Sequence, residues 1–309
     1  MKTTCLINNY NYANFIEDAV KSVLDQTVKF DEIIIVDDCS TDKSVELLKN
    51  KYVDSERIKL ILKQKNEGQL SCFNKGFAAS QGDIIFFLDS DDEYKPNYLE
   101  ETLKFYHENL ECDFLFCGYE KFGSSNGVVQ RYRVDRDLGY SLVVTYHTQK
   151  WIGSKTSTLS LRRRALSHIL PIPFLADWRT RADDCLIWGA SLVGARKFYM
   201  SKALVRYRVH GRNDHKKYNT LQKDSGYLYR RLLSGRKISS YLTKKMSYGS
   251  DFLWLASLEF KTIPNPDHEE FNSYFKMISS SRLPLTKRLK VLASLLKHFL
   301  LNGDWRLKS

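Results

Sequence analysis

Four short apolar runs constrain this chain more than any other feature. They are residues 4–9, Ile33-Ile34-Ile35-Val36, residues 58–62 and Ile84-Ile85-Phe86-Phe87-Leu88. Runs this short and this rich in Ile and Phe read as strands buried on both faces, not as helices. Helical patterns lie between them. Phe15, Ala19, Val20, Val23 and Leu24 share a face within 13–26, Val45, Leu47 and Leu48 follow a Ser40-Thr41-Asp42 cap, and Leu70 to Ala79 forms a third. Strands alternating with helices at this spacing predict an α/β fold, a doubly wound, mostly parallel sheet. Further on, the pattern predicts a helix over 96–109, a strand over 113–117, a basic helix start at Arg162-Arg163-Arg164, a helix led by Asp183-Asp184 and a strand over 198–207. Residues 119–150 carry no clear period. After about His215 the pattern turns helical, breaks between Pro264 and Pro266, and ends in a helix over 285–301.

The fourth run is followed at once by Asp89-Ser90-Asp91-Asp92. Crowded carboxylates raise one another's pKa and need a cation or a proton to be tolerated. Aspartate oxygens are hard ligands suited to Mg²⁺ or Mn²⁺, ions that commonly bridge to phosphate. The carboxyl end of a strand in an open α/β sheet is also where ligands bind. The other reading is an Asp-rich turn followed by a helix cap. Asp37-Asp38 and Asp183-Asp184 divide in the same way, as helix caps or as site carboxylates, and taken alone both read more simply as caps.

At 309 residues the chain can hold one large or two modest domains. The expected division is 1–214, with a front half over 1–110 and a second half over 111–214, followed by a helical region over 215–309. Cys5, Cys39, Cys72, Cys112, Cys117 and Cys185 are scattered without a Cys-x-x-Cys pair, which predicts buried thiols in a reducing compartment. Met1-Lys2-Thr3-Thr4 leads straight into a strand pattern, so no signal peptide is expected, and no apolar run reaches membrane-spanning length. The expected location is cytoplasmic, with a peripheral place on the inner face of the plasma membrane as the variant that the basic end suggests.

The net charge of +12 is unevenly spread. Residues 1–200 carry 26 Lys/Arg and 28 Asp/Glu, whereas residues 201–309 carry 22 and 8. A motif-bearing front that is neutral to acidic argues against nucleic acid as partner. In the last helix, Leu285, Leu289, Leu292, Leu295, Leu296 and Phe299 fall near one face, with Lys287, Arg288, Lys290 and Lys297 interspersed. Two readings stand: a helix lying on an anionic membrane surface, or one packed on the rest of the chain or on a second copy. No G-x-G-x-x-G marks a dinucleotide fold, and Asn8–Tyr12 is not the Gly-rich, basic loop of a nucleotidyltransferase.

Several landmarks fall in a fixed order: Tyr10-Asn11 with Ser22-Val23-Leu24-Asp25-Gln26-Thr27, Val36-Asp37-Asp38-Cys39-Ser40-Thr41-Asp42, Asn66-Glu67-Gly68, Asn74-Lys75-Gly76, Ala79 and Gly82, then Leu88-Asp89-Ser90-Asp91-Asp92 with Pro96. This order resembles the inverting, GT-A-fold glycosyltransferases of family 2, closely over about 4–110 and again over 157–188 and 207–213. The resemblance implies a metal-dependent transferase moving one sugar from a nucleoside diphosphate sugar, a UDP-sugar favoured, to a hydroxyl of a glycan or lipid-linked glycan acceptor in cell-surface polysaccharide synthesis. The front half becomes the nucleotide-binding half and residues 111–214 the acceptor half. In that frame Asn9, Tyr10 and Asn11 line the nucleotide pocket, Asp38 accepts a hydrogen bond from the base, and Asn66, Gly68 and Asn74 shape the far wall. Asp91 is the direct ligand of Mn²⁺ or Mg²⁺, and Asp89 contacts the ribose or the metal shell. Asp184 is the general base with Asp183 beside it. Arg208 reaches the diphosphate, and His210 ligates the metal.

The chain departs from that pattern at several points. Asn8-Asn9 replaces a proline after the first strand, Cys39 a glycine, Phe73 an arginine and Asp183 a glutamate. No Gln-x-x-Arg-Trp motif is present, which argues against a processive synthase. Trp151, Trp178 and Trp188 divide between a sugar-stacking face and the core. A nucleotidyltransferase-like protein, or an inactive nucleotide- or sugar-binding relative, is the alternative.

Overall fold

The computed structural model describes residues 1–211, 224–249 and 252–304. The expected boundary at 214/215, the end of the 207–213 stretch and the expected helix start near His215 lie outside them. Among the described residues ten strands form one sheet: β1 (Thr3–Asn9), β2 (Glu32–Asp37), β3 (Ile58–Leu62), β4 (Ile84–Asp89), β5 (Glu93–Tyr94), β6 (Phe114–Gly123), β7 (Gly127–Val129), β8 (Arg136–Gly139), β9 (Leu159–Arg162) and β10 (Lys197–Val209). Its order is β3-β2-β1-β4-β9-β6-β10-β5, with β7 on β6 and β8 on β10. The first four strands are mutually parallel, as are β6 and β10, while β9 runs antiparallel to both β4 and β6. The sheet is therefore mostly parallel, in the GT-A manner.

Helices α1 (Ile16–Leu24), α2 (Ser44–Tyr52), α3 (Gln69–Ala79) and α4 (Tyr98–Glu108) fill the gaps between the front strands. Strand periodicity sorts β4 between two cores. Ile84, Phe86 and Leu88 join the cluster that holds Ala19, Val20, Leu99 and Tyr106 from α1 and α4. Ile85 and Phe87 face the opposite cluster, with Phe73 of α3. Phe86 and Phe87 are fully buried, and each contributes roughly 2–3 kcal/mol by leaving water. The helix expected over 13–26 ends two residues early. Gln26 leaves it so that its side chain can donate to Lys95 O (2.8 Å) and accept from Leu99 N (2.9 Å), which ties α1 to α4.

The illegible stretch 119–150 holds the end of β6, β7, β8 and the short helix α5 (Leu142–Thr148). Its elements are set by distant partners. Glu259 accepts from Val143 N (2.6 Å) and Val144 N (3.0 Å), capping α5 from 115 residues away. Next come α6 (Arg163–Ile169), α7 (Asp183–Leu192), α8 (Ser225–Lys245), α9 (Ala256–Phe260), α10 (His268–Ser279) and α11 (Leu285–Asn302). Val143 and Val144 of α5 share a core with Phe260, Tyr274, Leu295 and Phe299, and α8 packs on α6 and α7. The C-terminal helices thus lean on the half that carries α5 and α7. No helix among the described residues is long and apolar enough to cross a membrane, and all six cysteines are free.

Candidate active site

Parallel pairing sets Asn9 beside Asp37 and Asn8 beside Asp89, so the carboxyl edge of β1, β2 and β4 gathers amides and carboxylates in one row. That row floors a cavity of about 770 Å³, walled by the 66–69 loop, by Trp151, Lys155 and Thr156, and by residues 179–183. Asn8 Oδ1, Asn9 Oδ1 and Ser90 Oγ are buried in this wall with no hydrogen-bond partner among the described residues. Buried polar atoms left this way mark a surface built for a polar ligand or for water.

The expected nucleotide residues mostly converge here. Asn9, Tyr10, Asn11, Asp38, Asn66 and Gly68 all line the cavity, with Tyr10 at its lip, 43% exposed. Asn9 Nδ2 donates to Asp37 Oδ2 (2.7 Å), while Asn11 Oδ1 accepts from Thr41 N (2.7 Å). Asp38 is held by the buried Lys63 ammonium and by the N–H groups of Glu67 (3.1 Å) and Gly68 (2.7 Å). Gly68 has φ +90°, and a Cβ there would stand 2.3 Å from Arg179 Cα, so only glycine fits. Asn74 stands apart. Its amide pairs on both sides with the backbone of Ile172 (2.8 and 3.0 Å), fastening the segment after α6 rather than walling the pocket.

The acidic step after β4 is crowded. Burial first, and then the charge of Asp91, push the Asp89 carboxyl up to about 7. Asp92 is raised well above the usual range by burial, then by Asp91 and Asp89. Asp92 accepts from Ser157 Oγ (2.6 Å) and Arg208 N (2.9 Å), and so braces the loop from behind. Asp91 Oδ2 lies 2.9 Å from His210 Nε2. Asp91 and His210, a hard carboxylate and an imidazole, are ligand types that a divalent cation takes. Asp89 accepts instead from Gln69 Nε2 (2.9 Å), and no three His, Cys, Asp or Glu among the described residues form one cation-holding group.

The guanidinium of Arg208, expected on the diphosphate, is engaged elsewhere. It donates to Asp91 O (2.9 Å), Asp18 (2.8 Å) and Glu93 (2.7 Å), behind the acidic loop and off the cavity wall. The α7 acids also divide differently from the expectation. Asp184 is 1% exposed and accepts from Trp151 Nε1 (2.7 Å), Arg181 (3.3 Å) and Arg231. Asp183 lines the cavity. Burial, and then Asp184's charge, raise its carboxyl to about 6, against the opposing pull of Arg181, Lys155 and Arg231. Trp178 is core and Trp188 packs against it, whereas Trp151 belongs to the wall.

Gln69 and Lys155 are among the wall residues that escaped the sequence reading. Gln69 donates to Asp89 and accepts from Ala182 N (2.9 Å), spanning the cleft between the two acidic groups. Lys155, whose pKa burial lowers, lies in the wall with its ammonium 5.3 Å from the Tyr207 ring centre. The Asn66-Glu67-Gly68-Gln69 order was the available signal for the first; nothing local flagged the second.

Sheet and cavity define an α/β enzyme of the GT-A type. Solved structures share that fold: residues 1–349 of S. aureus TarS in complex with UDP-GlcNAc superimpose with a TM-score of 0.56 at 19% identity, over 98% of this chain and 74% of that one. The sequence model of Glycosyl transferase family 2 matches residues 4–170. This chain belongs to that family and is a glycosyltransferase. An uncharacterized glycosyltransferase of Nostoc sp. is 34% identical over 221 residues, 70% of this chain and 67% of its own length. TuaG of Bacillus subtilis, which its name assigns to teichuronic acid biosynthesis, is 43% identical over 111 residues, 36% of this chain and 44% of TuaG.

Proposed function

We propose that this protein is an inverting transferase that moves one sugar from a UDP-sugar to a hydroxyl of a glycan or lipid-linked glycan, with Asp183 as general base. The observation that carries this reading is Asp183 facing the same cavity as Asp89 and Asp91, its pKa raised to about 6. A carboxylate of that basicity is still ionised at neutral pH, yet takes a proton more readily than an ordinary aspartate. The acceptor oxygen attacks the anomeric carbon opposite the diphosphate, Asp183 takes the hydroxyl proton, and the bond to the diphosphate oxygen breaks. The expectation for Asp184 is revised on physical grounds: its oxygens are occupied by one indole and two guanidinium donors, which leaves it to orient the wall.

UDP is favoured by Asp38. A carboxylate offers about four acceptor directions, and Lys63, Glu67 and Gly68 already use three. One remaining acceptor suits the single imide N–H of uracil, or of thymine, better than the paired donors of guanine. The UDP-GlcNAc bound by TarS, which shares the fold, supports the same donor class. Asp91 and His210 would hold Mn²⁺ or Mg²⁺, whose chemistry here is charge neutralisation of the departing diphosphate. Arg208 would act on that group only indirectly, by stiffening the acidic loop.

Partners follow from the surface. Leu285, Leu289, Leu296 and Leu300 form a stripe on α11, 45–60% exposed, beside the buried face of Val291, Leu295 and Phe299. Lys290 and Lys297 flank the stripe, and residues 201–309 carry the whole positive excess. That combination suits an anionic lipid surface, where a lipid-linked acceptor would be met.

Thermal stabilisation across UDP, GDP, dTDP and CMP, with and without Mn²⁺, tests the donor class. A metal-dependent shift for UDP is expected, and a shift favouring GDP overturns the base assignment. Leu289→Glu with Leu296→Glu should abolish co-flotation with phosphatidylglycerol vesicles. Unchanged flotation, or dimerisation through this stripe, removes the membrane role.

A further inference from the structure

Arg231 sits on α8, 47 residues beyond Asp184 and outside the span that the family model matches. Its guanidinium pairs with Asp184 Oδ2, reaches Arg181 O (3.4 Å) and stacks with its carbon 3.9 Å from the Trp178 ring centre. Trp178 is fully buried and meets Trp188 edge-on at 5.9 Å, so the arginine is pinned against a rigid surface. A planar guanidinium fixed by stacking on one side and by a carboxylate on the other has little freedom left.

Asp184 in turn fixes two pieces of the cavity wall. It accepts from Trp151 Nε1, on the loop that carries Lys155 and Thr156, and it is the second residue of α7, directly after Asp183. Arg181, which also donates to Asp184, has φ +58°, a left-handed conformation that costs a non-glycine residue energy unless its neighbours hold it. Without an anchor on Asp184, this turn and the start of α7 would relax together.

We propose that Arg231 is a positioning residue for sugar transfer: through Asp184 it holds the Trp151 loop and the first turn of α7 in register, so that Asp183 points at the acceptor hydroxyl. The basic C-terminal region is then part of the catalytic unit and not only a docking surface. This rests on Asp183 as the base, and the experiment separates the two claims.

Full-length Arg231→Met, Arg231→Lys, Asp184→Asn, Asp183→Asn and the Arg231→Met/Asp184→Asn double variant are compared by UDP release from UDP-glucose, UDP-galactose, UDP-GlcNAc and UDP-GalNAc, and by amide hydrogen exchange. Arg231→Met should lower kcat by roughly 10- to 100-fold, the scale of a displaced catalytic group, with KM for the donor within about twofold. Arg231→Lys should recover part of the rate. In the Asp184→Asn background the arginine substitution should add little, because both act through one contact. Exchange should quicken over 151–156 and 181–185 and stay unchanged in α1 to α4, a readout that needs no donor. An unaltered kcat with unaltered exchange, a change in KM alone, or losses that add in the double variant would overturn the positioning role. Asp183→Asn with full activity overturns the base assignment instead, and leaves the exchange result as the measure of Arg231.

Discussion

Two pairs of adjacent aspartates look alike in the sequence and are built in opposite ways. Asp37-Asp38 closes β2 and is held from within the front half of the chain. Asn9, Ser40 and Gly68 supply donors through short side chains or backbone N–H, and a charged partner, Lys63, is 25 residues away in the same half. Asp183-Asp184 opens α7 and depends on side chains from Trp151, Arg181 and Arg231, two of them far along the chain. In the proposed function the first pair would be a fixed mould for a base and ribose. In the second, Asp184 is locked by its donors while Asp183 lines the cavity, the arrangement from which the base is proposed. Backbone donors in a strand-to-helix turn are rigid, whereas long side chains can be re-aimed, and catalysis is easier to lose than the pocket.

The comparison is tested most severely at Asp183. Asp183→Asn should reduce kcat by roughly 10²- to 10⁴-fold, the usual worth of a positioned base, while the UDP-induced thermal shift stays as in the parent chain. The first pair should respond in stability instead. Lys63→Met strands the Asp38 carboxylate in a buried position, and chemical denaturation should show a loss of about 3–5 kcal/mol. A pH profile of kcat/KM comes next. Asp183 must be ionised, so activity should fall as pH drops through about 6, and the residual activity of Asp183→Asn should lose this step and keep only the one set by Asp89, raised to about 7. Gln69→Leu removes both hydrogen bonds that link the two acidic groups and should lower kcat roughly 10- to 30-fold, the equivalent of two part-buried hydrogen bonds. The smallest effect is expected at Asn74→Ala: about 1–2 kcal/mol of stability from its two lost backbone contacts, with UDP affinity unchanged.

The same contrast explains what could be read from the chain alone. The front strands and their helices were legible because each is fixed by local period, and the observed β1 to β4 differ from the expected runs by no more than a residue at either end. Asn9 ends β1, and Tyr10, Asn11, Asp38, Asn66 and Gly68 sit in loops whose shape follows from those strands; all six line one cavity. Asn74 and Arg208 do not. An amide on a helix can serve a ligand or a distant backbone equally well, and only the approach of Ile172 decides it. Arg208 could be placed at a strand end, but Asp18 and Glu93 arrive from other elements and claim its guanidinium. Strand β9 offers too little signal: Leu159-Ser160-Leu161-Arg162 alternates over four residues only, beside a basic helix start, and pairing on both sides makes the strand. Arg231 had no signal at all in a region that reads simply as basic and helical.

Strand β9 carries one more consequence. It fills the gap between β4 and β6, yet it lies about seventy residues after β4 in the chain, so a nascent polypeptide emerging from the ribosome exposes the flank of its most apolar strand until that late segment arrives. Synthesis is then the stage at which this protein is most open to association with its own copies, and a slowed or truncated translation product ending before residue 159 is the form that should depend most on chaperones.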